Sequence, residues 1–250
     1  MADDDTHPSS FPGGTSLSLL EVYNDAAGDG LAGGSPHMHL VSTEAYIVTG
    51  GRGVLQSLDR SGFRETPLAA GSVVWFTPGT IHRAVNHGAL TAVVLMSNAG
   101  LPEAGDAVMT FPDAHLASAA AYAEAAAIDR PGSDPRALAQ ARRDLAVAGF
   151  LELKTAAEAG DDAPLTAFFD RAAGLVAGRA PGWRGLIERG PLDQARASVE
   201  VATRLAAGDA AHLAHGGIQR PRPSGGAIRL GMCGHLTTFD VAEGPVTPRA

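Results

Sequence analysis

The sequence has little cysteine and no long apolar run. Cys233 is the only cysteine among 250 residues, which excludes an intramolecular disulfide and a cysteine-rich metal cluster. No apolar run approaches the about 20 residues that a membrane span requires. The acidic start, Met-Ala-Asp-Asp-Asp, lacks the basic and apolar regions of a signal peptide. We therefore expect a cytoplasmic protein in a reducing compartment, without a membrane partner.

Basic residues are also scarce. Lysine and arginine total 19 against 27 aspartates and glutamates, which gives a net charge of -8, and Lys154 is the only lysine. A surface this acidic repels phosphate backbones and anionic lipids, so we expect no nucleic-acid partner. The hydrophobic fraction of 45% beside 18% charged residues supports a buried core and excludes global disorder.

Aromatic residues make up only 5% of the chain. They and the β-branched residues are concentrated in the first half, whereas alanines are concentrated in the second half. The first half shows short apolar runs with turn residues between them at roughly 8–12-residue spacing, which is typical of a β-sandwich or barrel. We predict a β-dominated α+β protein with a flexible tail at 1–14, a β-barrel at 15–112, a helical region at 113–215, and a linker with one or two late strands at 216–250.

Cap and breaker residues predict three to five helices in the helical region. Asp134-Pro135 combines an N-cap with a proline at the first helical position, and Pro191 is predicted to open a later helix. The inward face of that later helix is predicted to consist of Leu192, Val199, Ala202 and Leu205. The late strands, predicted at 227–230 and 235–241, are expected to pair with the barrel edge, in cis or across a dimer.

Two strand-like segments carry histidines and a carboxylate in a pattern that suits a metal. Side chains two residues apart on a strand point to the same face, so His37 and His39 can both face the interior. Glu44 follows His39 at an odd spacing, so the chain must bend or bulge at 41–43 for Glu44 to share that face. With His82 from another strand, three imidazoles and one carboxylate would form a normal site for a divalent transition metal, with one or two open positions.

The residues around these side chains resemble the two characteristic motifs of the cupin superfamily. The two segments read Gly34-Ser-Pro-His37-x-His39-x4-Glu44-x6-Gly51 and Gly71-x6-Pro78-Gly79-x2-His82-x3-Asn86. The resemblance covers about residues 34–86 and implies a double-stranded β-helix, or jelly-roll barrel, followed here by an α-helical C-terminal region. It also implies one divalent transition metal per chain (iron, manganese, nickel, copper or zinc), bound by His37, His39, Glu44 and His82.

Four further side chains are candidates for contact with a substrate. Continuing the inward parity from Glu44 places Tyr46 inside the barrel, and continuing it along the second motif places Asn86 there. Tyr46 is a candidate catalytic residue that would hydrogen-bond a substrate; the alternative is an aromatic side chain that fills the barrel. Trp75 and Met96 either line the pocket or pack on the opposite face. Glu44 is a second catalytic candidate, because a carboxylate that leaves the metal becomes a general base.

The resemblance implies several activities: dioxygenases, sugar isomerases and epimerases, decarboxylases and non-catalytic binding proteins. We expect a metal-dependent enzyme that acts on a small molecule, most simply an O₂-using oxygenase with a three-histidine, one-glutamate centre. This choice depends on the complete ligand set and on the lack of a phosphate-binding cluster around the motifs. The alternatives are a metal-assisted isomerase or cyclase that works without O₂, and a non-catalytic metal- or ligand-binding protein. The resemblance also favours a homodimer.

Overall fold

Antiparallel strands dominate the first half of the chain and helices the second half. The structure, a computed structural model, describes residues 11–219, 221–224 and 229–240. The strands are β1 (Ser16–Val22), β2 (His37–His39), β3 (Glu44–Asp59), β4 (Gly62–Ala69), β5 (Val73–Phe76), β6 (Ile81–Met96), β7 (Ala107–Met109), β8 (Arg222–Pro223), β9 (Arg229–Leu230) and β10 (Gly234–Asp240). The helices are α1 (Asp113–Leu116), α2 (Ala119–Ala126), α3 (Pro135–Glu158), α4 (Ala163–Val176), α5 (Ala180–Ile187) and α6 (Asp193–Ala206). The predicted fold class, β-dominated with helices in the C-terminal region, is confirmed.

The two longest strands form the centre of the sheet. β3 and β6, each 16 residues long, pair antiparallel along almost their whole length. β6 also pairs with β1 and with β2, and β10 returns from the C-terminal region to pair antiparallel with β1. The late strand therefore joins the sheet within the same chain, which was one of the two arrangements expected from the sequence.

The β3–β6 pair bends where its register shifts. The shifts fall between Val48 and Gly53, and such irregularities bend a strand and increase its twist. Gly51 in this segment has a φ of +70°, and a Cβ on Gly53 would lie 2.1 Å from the carbonyl oxygen of Val85. Position 53 therefore requires glycine, because β6 passes too close to leave room for a side chain.

Two apolar cores lie on opposite sides of the sheet. One is enclosed by the strands and includes Leu20, Tyr46, Val48, Leu55 and Val94. The other lies between strands and helices and combines Met38, Leu58 and Ile81 with Phe150, Leu165, Phe168 and Trp183. The helices therefore cover the outer surface of one part of the sheet.

A buried arginine on α3 fixes this helix to the strands. The Arg143 guanidinium donates to the Asp25 carboxylate at 2.8 Å and to the carbonyl oxygen of Ala26 at 2.9 Å. In the same loop Asp29 pairs with Arg83 of β6, a side chain that is wholly buried. These bonds tie the loop after β1 to both the sheet and the helical region, and the buried charges are paired as burial requires.

The sequence interpretation of the last long helix was wrong. Pro191 does not open a helix but lies inside a π-helical turn, Glu188–Leu192, that joins α5 to α6. The predicted inward face is also wrong, because Val199 and Leu205 are 66% and 46% exposed and no residue of α6 is buried. Within the described part of the chain, nothing packs closely enough against α6 to bury it.

Some segments predicted from the sequence include residues that the structure does not describe. Residues 1–10 of the predicted tail lie outside the described residues, as do 227, 228 and 241 of the predicted late strands. The last residues of the predicted tail form a short 3₁₀ turn, Pro12–Gly14, between the bridged residues Phe11 and Thr15. Of the helices that the structure describes, none has both the length and the apolar character needed to cross a bilayer.

Candidate metal centre

Strand geometry brings the two motifs together. On β2 the side chains of His37 and His39 share one face, and Met38 between them belongs to the core under the helices. His82 on β6 stands directly opposite His37 in the β2–β6 register. Glu44 is the first residue of β3, after a break in the strand at 40–43. The bend that the spacing of His39 and Glu44 requires is therefore present.

A buried carboxylate that the sequence did not identify holds this bend. Asp106, in the turn before β7, accepts hydrogen bonds from the backbone amides of Leu40, Val41 and Ser42 at 3.1, 2.8 and 2.9 Å. Its second oxygen lies 3.5 Å from Nδ1 of His39. Asp106 thus fixes both the turn that directs Glu44 inward and the ring of a neighbouring ligand. The sequence contains no local pattern that distinguishes Asp106 from a surface aspartate.

The four side chains form a tight, buried cluster. Oε2 of Glu44 lies 3.1 Å from Nε2 of His39 and 3.1 Å from Nε2 of His82. One donor atom from each of His37, His39, Glu44 and His82 lies within 4.8 Å of the donor atoms of the other three. The described residues therefore contain a cluster able to hold one metal ion, with the ligand set that the sequence predicted.

Backbone carbonyls hold the imidazole rings of His37 and His82 in the tautomer that a metal requires. Nδ1 of His37 lies 2.9 Å from the carbonyl oxygen of Ser35, and Nδ1 of His82 lies 3.2 Å from that of Thr80. A carbonyl only accepts, so Nδ1 carries the proton in each ring and Nε2 presents a lone pair. In His82 this lone pair faces the Glu44 carboxylate, and neither of these two atoms has a hydrogen-bond partner. Two buried acceptors in contact need a cation between them, so the donor set fits a divalent metal ion.

Charge in the cluster is arranged for a cation. Burial would raise the pKa of the Glu44 carboxyl, but the adjacent His39 outweighs it and holds this pKa well below its usual range. Burial lowers the pKa of His37 well below its usual value, and the neighbouring His39 lowers it further. Burial would also lower the pKa of His39, but Asp106 and Glu44 outweigh it and raise this pKa to about 9. The cluster thus already stabilises one positive charge between two carboxylates, and a divalent cation would take that place.

A cavity of about 280 Å³ opens onto three of the ligands, His37, His39 and Glu44. Its wall is mainly apolar, and the lining residues that the structure describes include no lysine or arginine. Leu20, Val94 and Met96 of the sheet and Met232, Cys233 and Leu236 of the C-terminal segment contribute to the wall. Cys233, the residue before β10, reaches the cavity because β10 pairs with β1.

The predicted substrate-contact residues have different positions. Met96 lines the cavity. Tyr46 is buried behind the wall, where its hydroxyl lies 3.1 Å from Sγ of Cys233. Asn86 uses its amide to donate to the carbonyl of Val22 and to accept from the amides of Gly88 and Leu90. Trp75 is 69% exposed, because Phe76 takes the inward position next to His82. The structure therefore does not bring Trp75 or Asn86 to this cavity.

The comparison with family models identifies the strand-rich region. Residues 28–98 match the model of the cupin domain, and this segment contains all four candidate ligands. The resemblance expected from the motifs is thus confirmed for this part of the chain. A comparison with curated proteins gave no match.

Similar solved structures have low identity and cover only part of this chain. The capsular polysaccharide assembling protein CapF of Staphylococcus aureus is 20% identical over 33% of this chain and 22% of its own, with a TM-score of 0.25. A Klebsiella pneumoniae protein with a double-stranded β-helix domain is 17% identical over 33% of this chain and 64% of its own, with a TM-score of 0.26. Pac13 of Streptomyces, a nucleoside dehydratase, is 17% identical over 40% of this chain and 70% of its own, with a TM-score of 0.30. The match thus spans less than two thirds of the CapF and Klebsiella proteins.

Proposed function

Starting from a cupin domain at residues 28–98, we propose that the chain is a metal-dependent enzyme that oxidises a small molecule with O₂. The observation that carries this proposal is the buried cluster of three histidines and Glu44 beside an apolar cavity. When bound, a redox-active divalent metal supplies Lewis acidity and O₂ activation. Four protein ligands leave one or two positions for the substrate or O₂.

The cavity favours a small, uncharged and largely apolar substrate. Its volume of about 280 Å³ is at the lower end of ligand pockets. Outside the ligand cluster, Glu103 is the only charged side chain among the described lining residues. A phosphorylated or sulfated substrate would meet no basic partner there and would face two carboxylates, Glu103 and Glu44. We therefore propose neutral aromatic or aliphatic compounds with one metal-binding oxygen as the substrate class.

The protein groups around the centre have separate roles in this proposal. Glu44, which its neighbours hold as a carboxylate, is a ligand that can accept a substrate proton. Burial raises the pKa values of both Tyr46 and Cys233, so both groups stay protonated at neutral pH. Because Tyr46 reaches Cys233 and Cys233 reaches the cavity, we assign Tyr46 a positioning role and Cys233 the substrate contact. The apolar wall excludes water from the reacting groups.

Metal analysis and oxygen uptake test the proposal. Protein purified without chelator should contain about one transition metal ion per chain, and a His37→Ala/His82→Ala variant should lose it. His87→Ala is the matched control, because His87 is an exposed residue of β6 outside the cluster and its replacement should leave the metal content unchanged. An oxygen electrode with neutral phenols, ketones and alcohols should then show O₂ uptake with the wild type and with His87→Ala, but not with the His37→Ala/His82→Ala variant.

Each outcome of this experiment decides between the functions. If the wild type binds no metal under any loading condition, the enzyme proposal fails. If the metal binds through the cluster but no substrate in the panel causes O₂ uptake, the oxygenase proposal fails. Product analysis without O₂ then separates the isomerase or cyclase alternative from a non-catalytic binding protein.

A further inference from the structure

A second cavity, of about 150 Å³, lies between the loop after β1, helix α3 and the C-terminal strands. Loop residues 23–25 form one wall, and Leu230 of β9 and His235 of β10 form another. The residues that α3 contributes, at 136, 139, 140 and 143, are spaced three and four apart and therefore share one face of the helix. Most of the lining side chains are polar, so this space suits a polar occupant.

The second cavity is separate from the cavity beside the ligand cluster, and no described residue lines both of them. Leu230 and His235 line the second cavity. Met232, Cys233 and Leu236 line the cavity at the cluster. Because successive side chains of a strand point to opposite faces, His235 and Leu236 of β10 face different cavities. A ligand in the second cavity would thus contact the segment 230–236 on its other face and would not reach the cluster.

Three polar side chains at the second cavity lack a hydrogen-bond or ion-pair partner within the described part of the chain: Asn24, Arg136 and His235. Asn24 and Arg136 are exposed, and His235 is half-buried. The guanidinium of Arg136 is always charged and offers donors only. A few polar groups that converge on a small concave space are typical of a ligand site.

Asp25 adds a carboxylate to the same cavity. Its Oδ2 accepts hydrogen bonds from the Arg143 guanidinium at 2.8 Å and from the Gln140 amide at 2.9 Å. Its Oδ1 accepts none from another residue in the ranges that the structure describes. Burial would raise the pKa of the Asp25 carboxyl, but the bond from Arg143 outweighs it and lowers this pKa, so Asp25 is ionised at neutral pH. Since Arg143 and Asp25 pair with each other, Arg136 carries the uncompensated positive charge of the cavity.

We propose that the second cavity binds a small carboxylic acid that carries a hydroxyl or ammonium donor on the carbon next to its carboxylate. Arg136 holds the carboxylate through charge-assisted hydrogen bonds, and Oδ1 of Asp25 accepts the hydrogen bond from the neighbouring donor. An acid without this donor would place two carboxylates together with nothing between them. A neutral compound would leave the charge of Arg136 uncompensated. The site involves no metal ligand and does not depend on the proposed oxygenase activity.

The volume of the second cavity suits a ligand of about six non-hydrogen atoms. An apolar protein cavity of about 150 Å³ holds one benzene molecule, which has this number. L-Lactate and L-alanine are acids of this size with the required donor. Ala139 and Leu230 are the apolar members of the lining, and they would contact the methyl group of either compound.

Isothermal titration calorimetry of the full chain tests the proposal. L-Lactate, L-alanine or both should bind at one site per chain with a dissociation constant of about 1 mM or below. Propionate lacks the donor and L-lactamide lacks the carboxylate, so each should bind at least about tenfold more weakly. Hydroxy and amino acids also coordinate metal ions, so the titration is repeated with excess chelator and should give the same affinity. Binding that disappears with the chelator would belong to the ligand cluster and would overturn the proposal.

A charge variant locates the binding. Arg136→Gln should weaken the binding of L-lactate or L-alanine at least about tenfold, with an unchanged circular dichroism spectrum because Arg136 is exposed. Arg196→Gln is the matched control, since it removes the same charge from an exposed ion pair on α6 and should leave the affinity unchanged. The proposal fails if the wild type binds neither acid, if propionate binds as tightly as they do, or if folded Arg136→Gln retains the affinity of the wild type.

Discussion

Asp106→Asn is the substitution that most directly tests how the protein positions the ligands of the candidate metal centre. The aspartate accepts the amides of Leu40 and Val41 on Oδ1, and the amide of Ser42 on Oδ2. An asparagine of the same shape keeps one oxygen and replaces the other with an NH₂ donor. If the asparagine oxygen takes the position of Oδ1, the new NH₂ group takes the position of Oδ2, next to the Ser42 amide and Nδ1 of His39. Because all three groups are then hydrogen-bond donors, the Ser42 amide loses its acceptor.

The expected loss of stability follows from these contacts. One buried amide without a partner costs about 1–3 kcal/mol, and the two retained hydrogen bonds lose their charge assistance, which is roughly half of their strength. We expect the metal-free Asp106→Asn protein to lose about 2–4 kcal/mol of unfolding free energy. Metal affinity should fall about 10–100-fold, because the variant releases the ring of His39 and the bend before Glu44.

Denaturation and metal competition measure the two effects separately. Urea unfolding with excess chelator gives the unfolding free energy, and competition with a chromogenic chelator gives the metal affinity. Asp113→Asn is the control, because Asp113 is an exposed residue whose ion pair within the described residues is with Arg171, and the substitution should cost under about 0.5 kcal/mol. An Asp106→Asn protein that matches the wild type in both measurements would refute the positioning role.

The contribution of the Asp106–His39 contact to the unfolding free energy depends on pH in a defined direction. Burial would raise the pKa of the Asp106 carboxyl, but its bonds to His39 and Ser42 outweigh this and lower it. The carboxylate therefore stabilises the fold at pH values above the unfolded pKa of about 4. This contribution disappears as the pH falls through the lower pKa of the folded state. The difference between the wild type and Asp106→Asn should therefore shrink in acid. It should also shrink as the pH rises from about 6.5, because Asp106 helps raise the pKa of His39 to about 9 and this contribution is lost as His39 deprotonates.

Two further substitutions test the wall and the sheet. Tyr46→Phe removes the hydroxyl next to Cys233, so we expect unchanged metal stoichiometry and a loss of about 1 kcal/mol or less; loss of metal would contradict the placement of Tyr46 behind the wall. Gly53→Ala should cost about 2–3 kcal/mol in urea unfolding, because its Cβ overlaps the Val85 carbonyl. Gly174→Ala, on α4 with no atom within 4 Å of the added carbon, should instead stabilise by about 0.5–1 kcal/mol, and equal effects at both sites would contradict the close approach at Gly53.

Most of the ligand cluster could be predicted because three of its four residues lie within one short segment, where their spacing shows which face of a strand each occupies. The alternation of His37 and His39 fixes one face of a strand, and the odd spacing to Glu44 demands the bend that Asp106 holds. Asp106 and Cys233 could not be predicted in the same way. They are distant in sequence and come to the site only through the turn before β7 and through the pairing of β10 with β1.

Strand β5 shows why the direction of some side chains could not be predicted. Its sequence, Val73-Val74-Trp75-Phe76, is apolar at every position, so hydrophobic alternation cannot tell which pair faces the core. The structure turns Val74 and Phe76 inward and leaves Val73 and Trp75 outside. The lack of alternation that hid the direction is itself informative, because a strand with two apolar faces is typical of burial on both sides. Trp75, a candidate substrate contact in the sequence, lies on the exposed side of the strand and outside the cavity.

The C-terminal segment connects the two halves of the protein at the cavity beside the ligand cluster. The cupin motifs supply the metal ligands, but Met232, Cys233 and Leu236 form part of the wall that a substrate would contact. Their position depends on β10, which follows the six α-helices that the structure describes and then pairs with β1. Helix α3 also holds this segment, because the Arg142 guanidinium donates to the carbonyl oxygen of Gly231. Differences in the helical region can therefore alter the cavity wall without changing a candidate metal ligand. Under the proposed function, the metal centre and the choice of substrate would be encoded in different parts of the sequence.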